Sequence, residues 1–403
     1  MTTFGLAWRY VWSRPLSAVL NVLLLGLGLA SITFLLLVAS QLERAFQRDL
    51  AGIDVVVGAK GSPMQLILSG VLHLDVAPGN VSFAAVTALK NNPLVAEVIP
   101  ISLGDNFQGY RIVGTSLAYP QLYGVSLSEG RLWYAPMQVV LGATVARNLG
   151  LRTGQSFTGA HGLGGSADMH TESPYTVIGV LEPSGSVLDR LILTDIASIW
   201  HVHEEHDEDH GGADHTMAQP HQDREVTMAL VRYTTPLAAM SFPRWINTTT
   251  ALQAAAPALE VTRLLHMLGL GTDVLRAFAA MLLLTAGLSV FIALWNAVRE
   301  RRADLALLRM LGAPPAKIAA LLLTEALWLG LLASVLGLLL GQLFMLALAY
   351  LLGLENSLML GGAAWPLELL LVPALALGVS LLAALLPALG AYRSDVLALL
   401  QAR

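Results

Sequence analysis

The residues with the clearest capacity for chemistry are six histidines between positions 201 and 221, which we call the histidine segment. They are His201, His203, His206, His210, His215 and His221. The same stretch, HVHEEHDEDHGGADHTMAQPH, contains six Asp or Glu residues. Neutral imidazole and carboxylate are common ligands of Zn²⁺ and similar divalent metals. The histidine segment is therefore a candidate metal site.

Two interpretations of the histidine segment remain open. Gly211 and Gly212 favour a disordered loop inserted between Trp200 and a strand that begins near Glu225. Such a loop would hold an ion loosely and in several registers. We expect that ion to be zinc, in a metal-capturing or metal-sensing role. The alternative is an acidic, solvated loop whose histidines are incidental.

Other kinds of chemistry find little support in the sequence. The chain has no cysteine, which excludes disulfides, thiolate ligands and thiol catalysis. It also lacks the G-x-S-x-G, H-E-x-x-H and G-x-x-x-x-G-K-[ST] motifs of hydrolases, zinc proteases and phosphate-binding loops. The net charge of −5 does not suggest a nucleic-acid partner. We expect no catalytic residue and no cofactor-binding residue, apart from zinc if the histidine segment binds metal.

The composition places the chain among membrane proteins. Hydrophobic residues make up 55% of it, and its mean hydropathy is +0.64. A helix needs about 20 residues to cross a bilayer. We predict four such spans, at residues 16–42, 273–298, 318–352 and 368–392.

Basic residues predict the orientation of the four spans. Lys and Arg accumulate in short cytoplasmic loops, and five of them lie between Arg299 and Lys317. Both chain termini are also basic, so we predict that they too are cytoplasmic. Residues 43–272 then form a large domain on the other side of the membrane. The remaining predicted segments are a cytoplasmic amphipathic segment at 1–15, a cytoplasmic coupling segment at 299–317, a short outer loop at 353–367 and a cytoplasmic tail at 393–403.

The large domain has an α+β pattern. Short runs rich in β-branched residues alternate with turn residues and with helical stretches. Predicted strands begin near residues 53, 95, 110, 137, 175, 191 and 225. Predicted helices cover 83–91, 143–150, 194–203 and 251–270, the last leading into the second span.

Several segments resemble one known family. RRADLALLRMLGAPPAKIAALLLTEALWLGLLASVLG, at 301–337, is similar to the cytoplasmic loop and third span of FtsX-like permeases. LPALGAYRSDVLALL, at 386–400, resembles the C-terminal pattern of that family. VVLGATVARNLGLRTGQSF at 139–157 and YTVIGVLEPSG at 175–185 are similar to the MacB-type periplasmic core. The resemblance covers nearly the whole chain, although the histidine segment departs from it.

The resemblance implies a type VII ABC-transporter permease of the bacterial inner membrane. It implies a dimer with a second permease copy, and a separate ATPase that binds ATP and Mg²⁺ and drives motion of the outer domain. Residues 301–312 would then be the coupling helix, with three leucines along one side for burial in the ATPase. The expected coupling residues are Arg301, Arg302, Leu305, Leu308, Arg309, Leu311 and Gly312. Membrane lipid and a periplasmic binding or adaptor protein are further expected partners.

The task of the outer domain stays open at this point. One hypothesis is a mechanotransmitting permease for export, extraction or efflux, linked to zinc through the histidine segment. A second is a non-transporting FtsX-like regulator of a cell-wall hydrolase. A third is a lipoprotein-extraction permease in which the histidine segment is incidental.

Overall fold

The computed structural model describes residues 3–13, 15–50, 52–161, 174–209, 224–300, 307, 309–351 and 366–393. The chain divides into two compact units. The helical unit comprises Met1–Leu42, Met267–Glu355 and Leu360–Arg403, and the sheet unit comprises Glu43–His266 and Asn356–Met359.

Long helices lie towards both ends of the chain, and the strands lie between them. The helices are α1 (Thr3–Val11), α2 (Pro15–Asp49), α3 (Pro63–Gly70), α4 (Phe83–Ala88), α5 (Ala118–Leu122), α6 (Ala143–Leu149), α7 (Ile196–Asp209), α8 (Ala238–Thr249), α9 (Pro257–Glu300), α10 (Pro315–Leu351) and α11 (Leu371–Arg393). The strands are β1 (Val55–Ala59), β2 (Val81–Ser82), β3 (Val95–Phe107), β4 (Tyr110–Thr115), β5 (Leu127–Gly130), β6 (Gln138–Leu141), β7 (Ser156–Phe157), β8 (Ala160–His161), β9 (Tyr175–Leu181), β10 (Leu191–Asp195), β11 (Glu225–Val226), β12 (Met228–Tyr233) and β13 (Leu252–Ala255). Single 3-10 turns lie at Leu89–Asn91, Val187–Arg190 and Leu367–Leu370.

Among the described residues, four helical stretches are long and apolar enough to cross a membrane. They are Pro15–Asp49, Asp273–Glu300, Pro315–Leu351 and Leu367–Arg393. Each exceeds the roughly 20 residues that a bilayer requires. The sequence-based prediction of four apolar helices is therefore confirmed.

Glycines bring α2 and α10 into close contact inside the helical unit. A Cβ atom added at Gly337 would lie 2.6 Å from the Cβ of Leu29, and one added at Gly341 would lie 2.5 Å from the Cβ of Thr33. Spacing alone did not determine whether these glycines pack within one chain. The structure shows that they do, as small residues at membrane-helix contacts often do.

Two further contacts link the remaining spans. The Ser289 hydroxyl of α9 lies 2.7 Å from Asn21 Oδ1 of α2, and Asn21 is buried. Between α10 and α11, a Cβ atom at Gly330 would lie 2.7 Å from Ser380 Oγ. Each contact joins two different helices, so the four spans form one packed bundle.

The sheet unit is built on one mixed sheet. Its main path runs β13-β1-β12-β3-β4-β10-β6-β9-β5, with β7 on β9 and β8 on β3. β10 pairs with β4 in parallel and β6 with β9 in parallel, while the other pairs are antiparallel. β11 and β2 form a separate pair. The predicted α+β class is thus confirmed as a mixed sheet with helices.

Two apolar clusters cover this sheet. One gathers side chains of β1, β3, β12 and β13 with α4 and α8, and includes the buried residues Phe242 and Ile246. The other gathers β4, β6, β9 and β10 with α6 and α7, and includes Ile199 and Val202.

The structure corrects two local predictions. Residues 204–209, predicted as part of the loop at 201–221, continue α7 as helix, because Ile199 and Val202 bury the inner side of that helix in the sheet core. Residues 252–255, predicted as helix, form edge strand β13 paired with β1. The helix there begins only at Pro257, a residue suited to the first helical position.

Gly341→Ala tests the contact between α2 and α10. We expect a loss of stability of about 1–3 kcal/mol, since the new methyl group must displace Thr33. Gly378→Ala in α11 is the matched control, because nothing lies within 4 Å of the added Cβ. It should be neutral or stabilising by up to about 1 kcal/mol. Thermal unfolding of the full-length protein in detergent measures both, and equal midpoints would contradict the close contact.

Candidate coupling site

A helical turn precedes α10, and its described part spans residues 307 and 309–312, which we call the coupling turn. The N–H of Leu311 donates to the Leu307 carbonyl at 3.0 Å, and the N–H of Gly312 donates to the Arg309 carbonyl at 3.0 Å. Gly312 has φ +91°, the left-handed conformation that commonly ends helices. Pro315 then begins α10.

Three large apolar side chains of the coupling turn are exposed. Leu307 is 53% exposed, Met310 57% and Leu311 81%. They lie close in sequence to the charged residues Arg309 and Lys317, which mark the water-facing end of a span. Exposed apolar groups that lie together are typical of protein–protein or membrane interaction sites.

The structure describes three of the seven predicted coupling residues, namely Arg309, Leu311 and Gly312. Leu311 and Gly312 are both exposed. The other four, Arg301, Arg302, Leu305 and Leu308, lie outside the described residues.

The N-terminal helix α1 packs against α10 in the same unit. The rings of Phe4 and Trp8 each lie 4.6 Å, centroid to centroid, from the ring of Trp328. Ala7 and Val11 are buried on the inner side of α1. One side of α1 is therefore apolar and packed, while the Phe4 and Trp12 side chains remain half exposed.

A polar cavity of about 130 Å³ lies among α1, α2, α9 and α10. Its polar lining residues are Tyr10, Ser17, Asn21, Asn296, Glu300 and Glu325. Glu325 is only 6% exposed, although it belongs to a span. Ionisable groups inside spans are costly and often functional. Since Glu300 is the last residue of α9, the cavity lies at the end of α9 from which the chain enters the coupling segment.

In the sheet unit, the end of α2 is held by buried hydrogen bonds that we call the Asp49 anchor. Asp49 Oδ1 accepts from the N–H of Val187 at 2.8 Å, and the Asp49 carbonyl accepts from the Tyr123 hydroxyl at 2.9 Å. The Tyr123 ring meets the Tyr119 ring edge to face, with centroids 5.5 Å apart. Asp49 is only 7% exposed. A carboxylate that is buried away from water needs hydrogen bonds within the protein.

His73 continues this network. Its Nε2 lies 3.0 Å from the Tyr119 hydroxyl oxygen, and its backbone has φ +54°, which is unusual for a residue other than glycine. Burial lowers the pKa of His73 to about 3, and the positive charges of Arg111 and Arg190 act in the same direction. His73 is therefore neutral in the folded protein at physiological pH.

The histidine segment is only partly described. His201, His203 and His206 lie on α7, and the His201 side chain is exposed. His210, His215 and His221 lie outside the described residues. The side chains after Val202 in α7 lie outside the described part, and among the side chains that the structure describes no group of three or more His, Cys, Asp or Glu residues could hold a metal ion.

Sequence reasoning missed the polar cavity and the Asp49 anchor. Asn21 and Glu325 carried a usable signal, because each is a polar residue inside an apolar run. Asp49 carried no such signal, because its partner Val187 lies 138 residues away along the chain.

Two family models match the chain, one after the other. The FtsX-like permease C-terminal model matches residues 276–396, and the MacB-like periplasmic core domain model matches residues 18–238. The chain belongs to the MacB/FtsX-like ABC permease family. It is therefore a membrane protein, and its family comprises transmembrane permease subunits of ABC transporters.

Individual relatives are more distant. The chain is 26% identical over 189 residues to the pyoverdine export ATP-binding/permease protein PvdT of Pseudomonas aeruginosa (PAO1). That match covers 45% of this chain and 27% of PvdT, so the chain spans about a quarter of the length of this relative.

Two solved structures also show similarity. The periplasmic region of MacB from Actinobacillus actinomycetemcomitans has a TM-score of 0.35 and 12% identity, covering 54% of this chain and 95% of that one. The extracellular domain of the ABC-type transporter YknZ from Gram-positive bacteria has a TM-score of 0.32 and 13% identity, covering 50% and 98%. The family assignment rests on the two family models.

His73→Gln tests the buried histidine. A pKa of about 3 in the folded state, against 6.5 when unfolded, gives stability that is present above pH 6.5 and lost as the pH falls toward 3. Between pH 7 and pH 4 the wild type should lose about 3 kcal/mol relative to His73→Gln. Urea unfolding of the full-length protein, read by pulse proteolysis of the sheet unit, measures this difference.

The control for this experiment is His266→Gln, since His266 is exposed. Its stability should follow the wild type at every pH. Parallel pH profiles for wild type and His73→Gln would show that His73 is protonated as readily in the fold as in the unfolded chain.

Proposed function

We propose that the chain is a permease subunit that couples ATP hydrolysis by a separate ATPase to conformational work of its sheet unit. Such mechanotransmission would serve export, extraction or efflux. The observation that carries the proposal is the exposure of Leu307, Met310 and Leu311 on a basic turn between two apolar helices. Apolar side chains in that position are suited to burial in a partner protein.

Contacts within each unit suggest how motion at the coupling turn would be transmitted. The turn leads directly into α10, and α10 packs on α2 through Gly337 and Gly341. The last seven residues of α2 belong to the sheet unit, where Asp49 is bonded to Val187. Displacement of α10 would therefore displace α2, and through the Asp49 anchor the 3-10 turn at Val187–Arg190.

The proposal includes an orientation and partners. The coupling turn and both termini would be cytoplasmic and the sheet unit extracytoplasmic, in a bacterial inner membrane, as the distribution of basic residues predicts. A second permease copy, homomeric or heteromeric, and a periplasmic binding or adaptor protein would complete the assembly. Regulation of a cell-wall hydrolase or extraction of a lipoprotein are alternative tasks for the same coupling.

Leu311→Asp tests the coupling turn. We expect at least a tenfold loss of ATPase that co-purifies with the tagged full-length chain from native membranes, because an Asp carboxylate would be buried in an apolar contact. Quantitative mass spectrometry of the purified complex measures the loss. The matched control is Leu237→Asp in the sheet unit, since Leu237 is similarly exposed at 75%. Undiminished ATPase with Leu311→Asp would refute the proposed contact.

We also propose that the histidine segment binds zinc, which would link the transporter to metal handling. The helical backbone of α7 supports this, because it puts positions 203, 206 and 207 on one side of the helix. Two imidazoles and one carboxylate are a donor set found in zinc sites.

The zinc proposal is tested by calorimetric titration of the full-length protein with Zn²⁺. Wild type should bind in the micromolar range, and the double variant His203→Ala/His206→Ala should bind at least tenfold more weakly. His266→Ala, which changes an exposed histidine outside the histidine segment, should bind as wild type. Wild-type binding no tighter than millimolar would leave the histidines incidental.

A further inference from the structure

The outer side of α8, in the sheet unit, exposes large apolar side chains. Leu237, which precedes α8 with helical backbone angles, is 75% exposed, and Met240 and Trp245 are 81% and 40% exposed. Ser241 and Arg244 are exposed between them. Residues three and four apart lie on the same side of a helix, so these five residues form one surface, which we call the α8 face. Neither the family assignment nor the coupling turn gives it a role.

The inner side of α8 is fixed to the sheet. Ala238, Phe242 and Ile246 are fully buried. Asn247 accepts from the N–H of Ala254 at 2.7 Å and donates to the Ala254 carbonyl at 3.2 Å, which ties the helix to edge strand β13. The helix therefore presents the α8 face rigidly. Trp, Met and Arg are enriched in protein interfaces, so this face is suited to contact with another protein chain.

The charges on and beside α8 differ between its two ends. Arg244 is the one charged residue of the α8 face and lies in the second half of the helix. Asp54 lies on the side where α8 begins, because its exposed carboxylate accepts from the N–H of Tyr233 at 2.6 Å, four residues before Leu237. Two such helices side by side and parallel would bring Arg244 against Arg244. Antiparallel, each Arg244 would point towards the end at which the other copy has Asp54, which is favourable.

We propose that the α8 face binds the same face of a second copy of this chain, with the two helices antiparallel about a two-fold axis near Ser241. The proposal rests on the second permease copy of the proposed function. Such a contact is isologous, with one surface on both copies. Leu237 and Trp245 each lie four residues from Ser241, so Leu237 of one copy would meet Trp245 of the other. Apolar side chains of both copies would thereby leave water.

The size of the α8 face limits when this contact can form. α8 has 12 residues and is about 18 Å long. One side of such a helix buries much less than the roughly 800 Å² per partner of a standard protein interface. The contact is too small to hold two free chains together. It suits two copies that are already assembled in one membrane complex.

Cysteine crosslinking of the full-length protein in native membranes tests the contact, since the chain has no cysteine of its own. A disulfide requires Cα atoms within about 7 Å of each other. Ser241→Cys, next to the two-fold axis, should give a disulfide-linked dimer in at least half of the chains after oxidation with copper phenanthroline. Thr248→Cys is the matched control, because Thr248 is exposed on the same side of α8. Its two copies would lie about 20 Å apart and should crosslink in less than a tenth of the chains.

A charge reversal tests the antiparallel orientation. Arg244→Glu, added to Ser241→Cys, would place a carboxylate near Asp54 of the second copy and should lower the dimer yield at least threefold. Arg244→Lys keeps the charge and should leave the yield within twofold of Ser241→Cys alone. An unchanged yield with Arg244→Glu, or equal crosslinking of Ser241→Cys and Thr248→Cys, would show that the proposed orientation is wrong.

Co-purification of two differently tagged copies distinguishes the contact from the dimer itself. If the copies co-purify but Ser241→Cys gives no crosslink, the α8 face meets a different partner and the proposal is overturned. If the copies do not co-purify, the proposal is overturned as well. The ATPase association tested by Leu311→Asp is measured separately, so the proposed coupling would stand in either case.

Discussion

The proposed coupling depends most on the hydrogen bonds that hold the buried residue Asp49. A carboxylate that is almost fully buried is tolerated only when hydrogen bonds replace its lost water, and the Val187 N–H supplies one at 2.8 Å. The Tyr123 hydroxyl holds the carbonyl of the same residue. The end of α2 is thereby bonded to sheet-unit residues far away in sequence, and it cannot shift without breaking buried bonds.

Most large features of the chain could be predicted from sequence, because their cause is local. Four apolar runs specify spans through length alone, and β-branched runs such as 175–181 specify buried strands. The coupling turn could also be predicted, because Gly312 suits the end of a helix and Pro315 suits the start of the next one. Both predictions use information carried within about 20 residues.

The local predictions that were wrong share one physical cause, which is packing between residues that are far apart in sequence. The polar residues after position 203 suggested a loop, but burial of Val202 against the sheet stabilises α7, which continues to Asp209. The run 252–255 suggested helix by composition, whereas pairing with β1 makes it a strand. None of these partners is visible from the local sequence.

The glycine contact between α2 and α10 also limits how the bundle can move. Side chains of Leu29 and Thr33 lie over Gly337 and Gly341, where no Cβ atom stands between the helices. Such a contact interlocks two helices along more than one turn, so rotation of either about its own axis would drive a side chain into backbone. The two helices would therefore tilt or translate together. A force applied at one end of α10 is then converted into displacement of α2 with little loss to twisting.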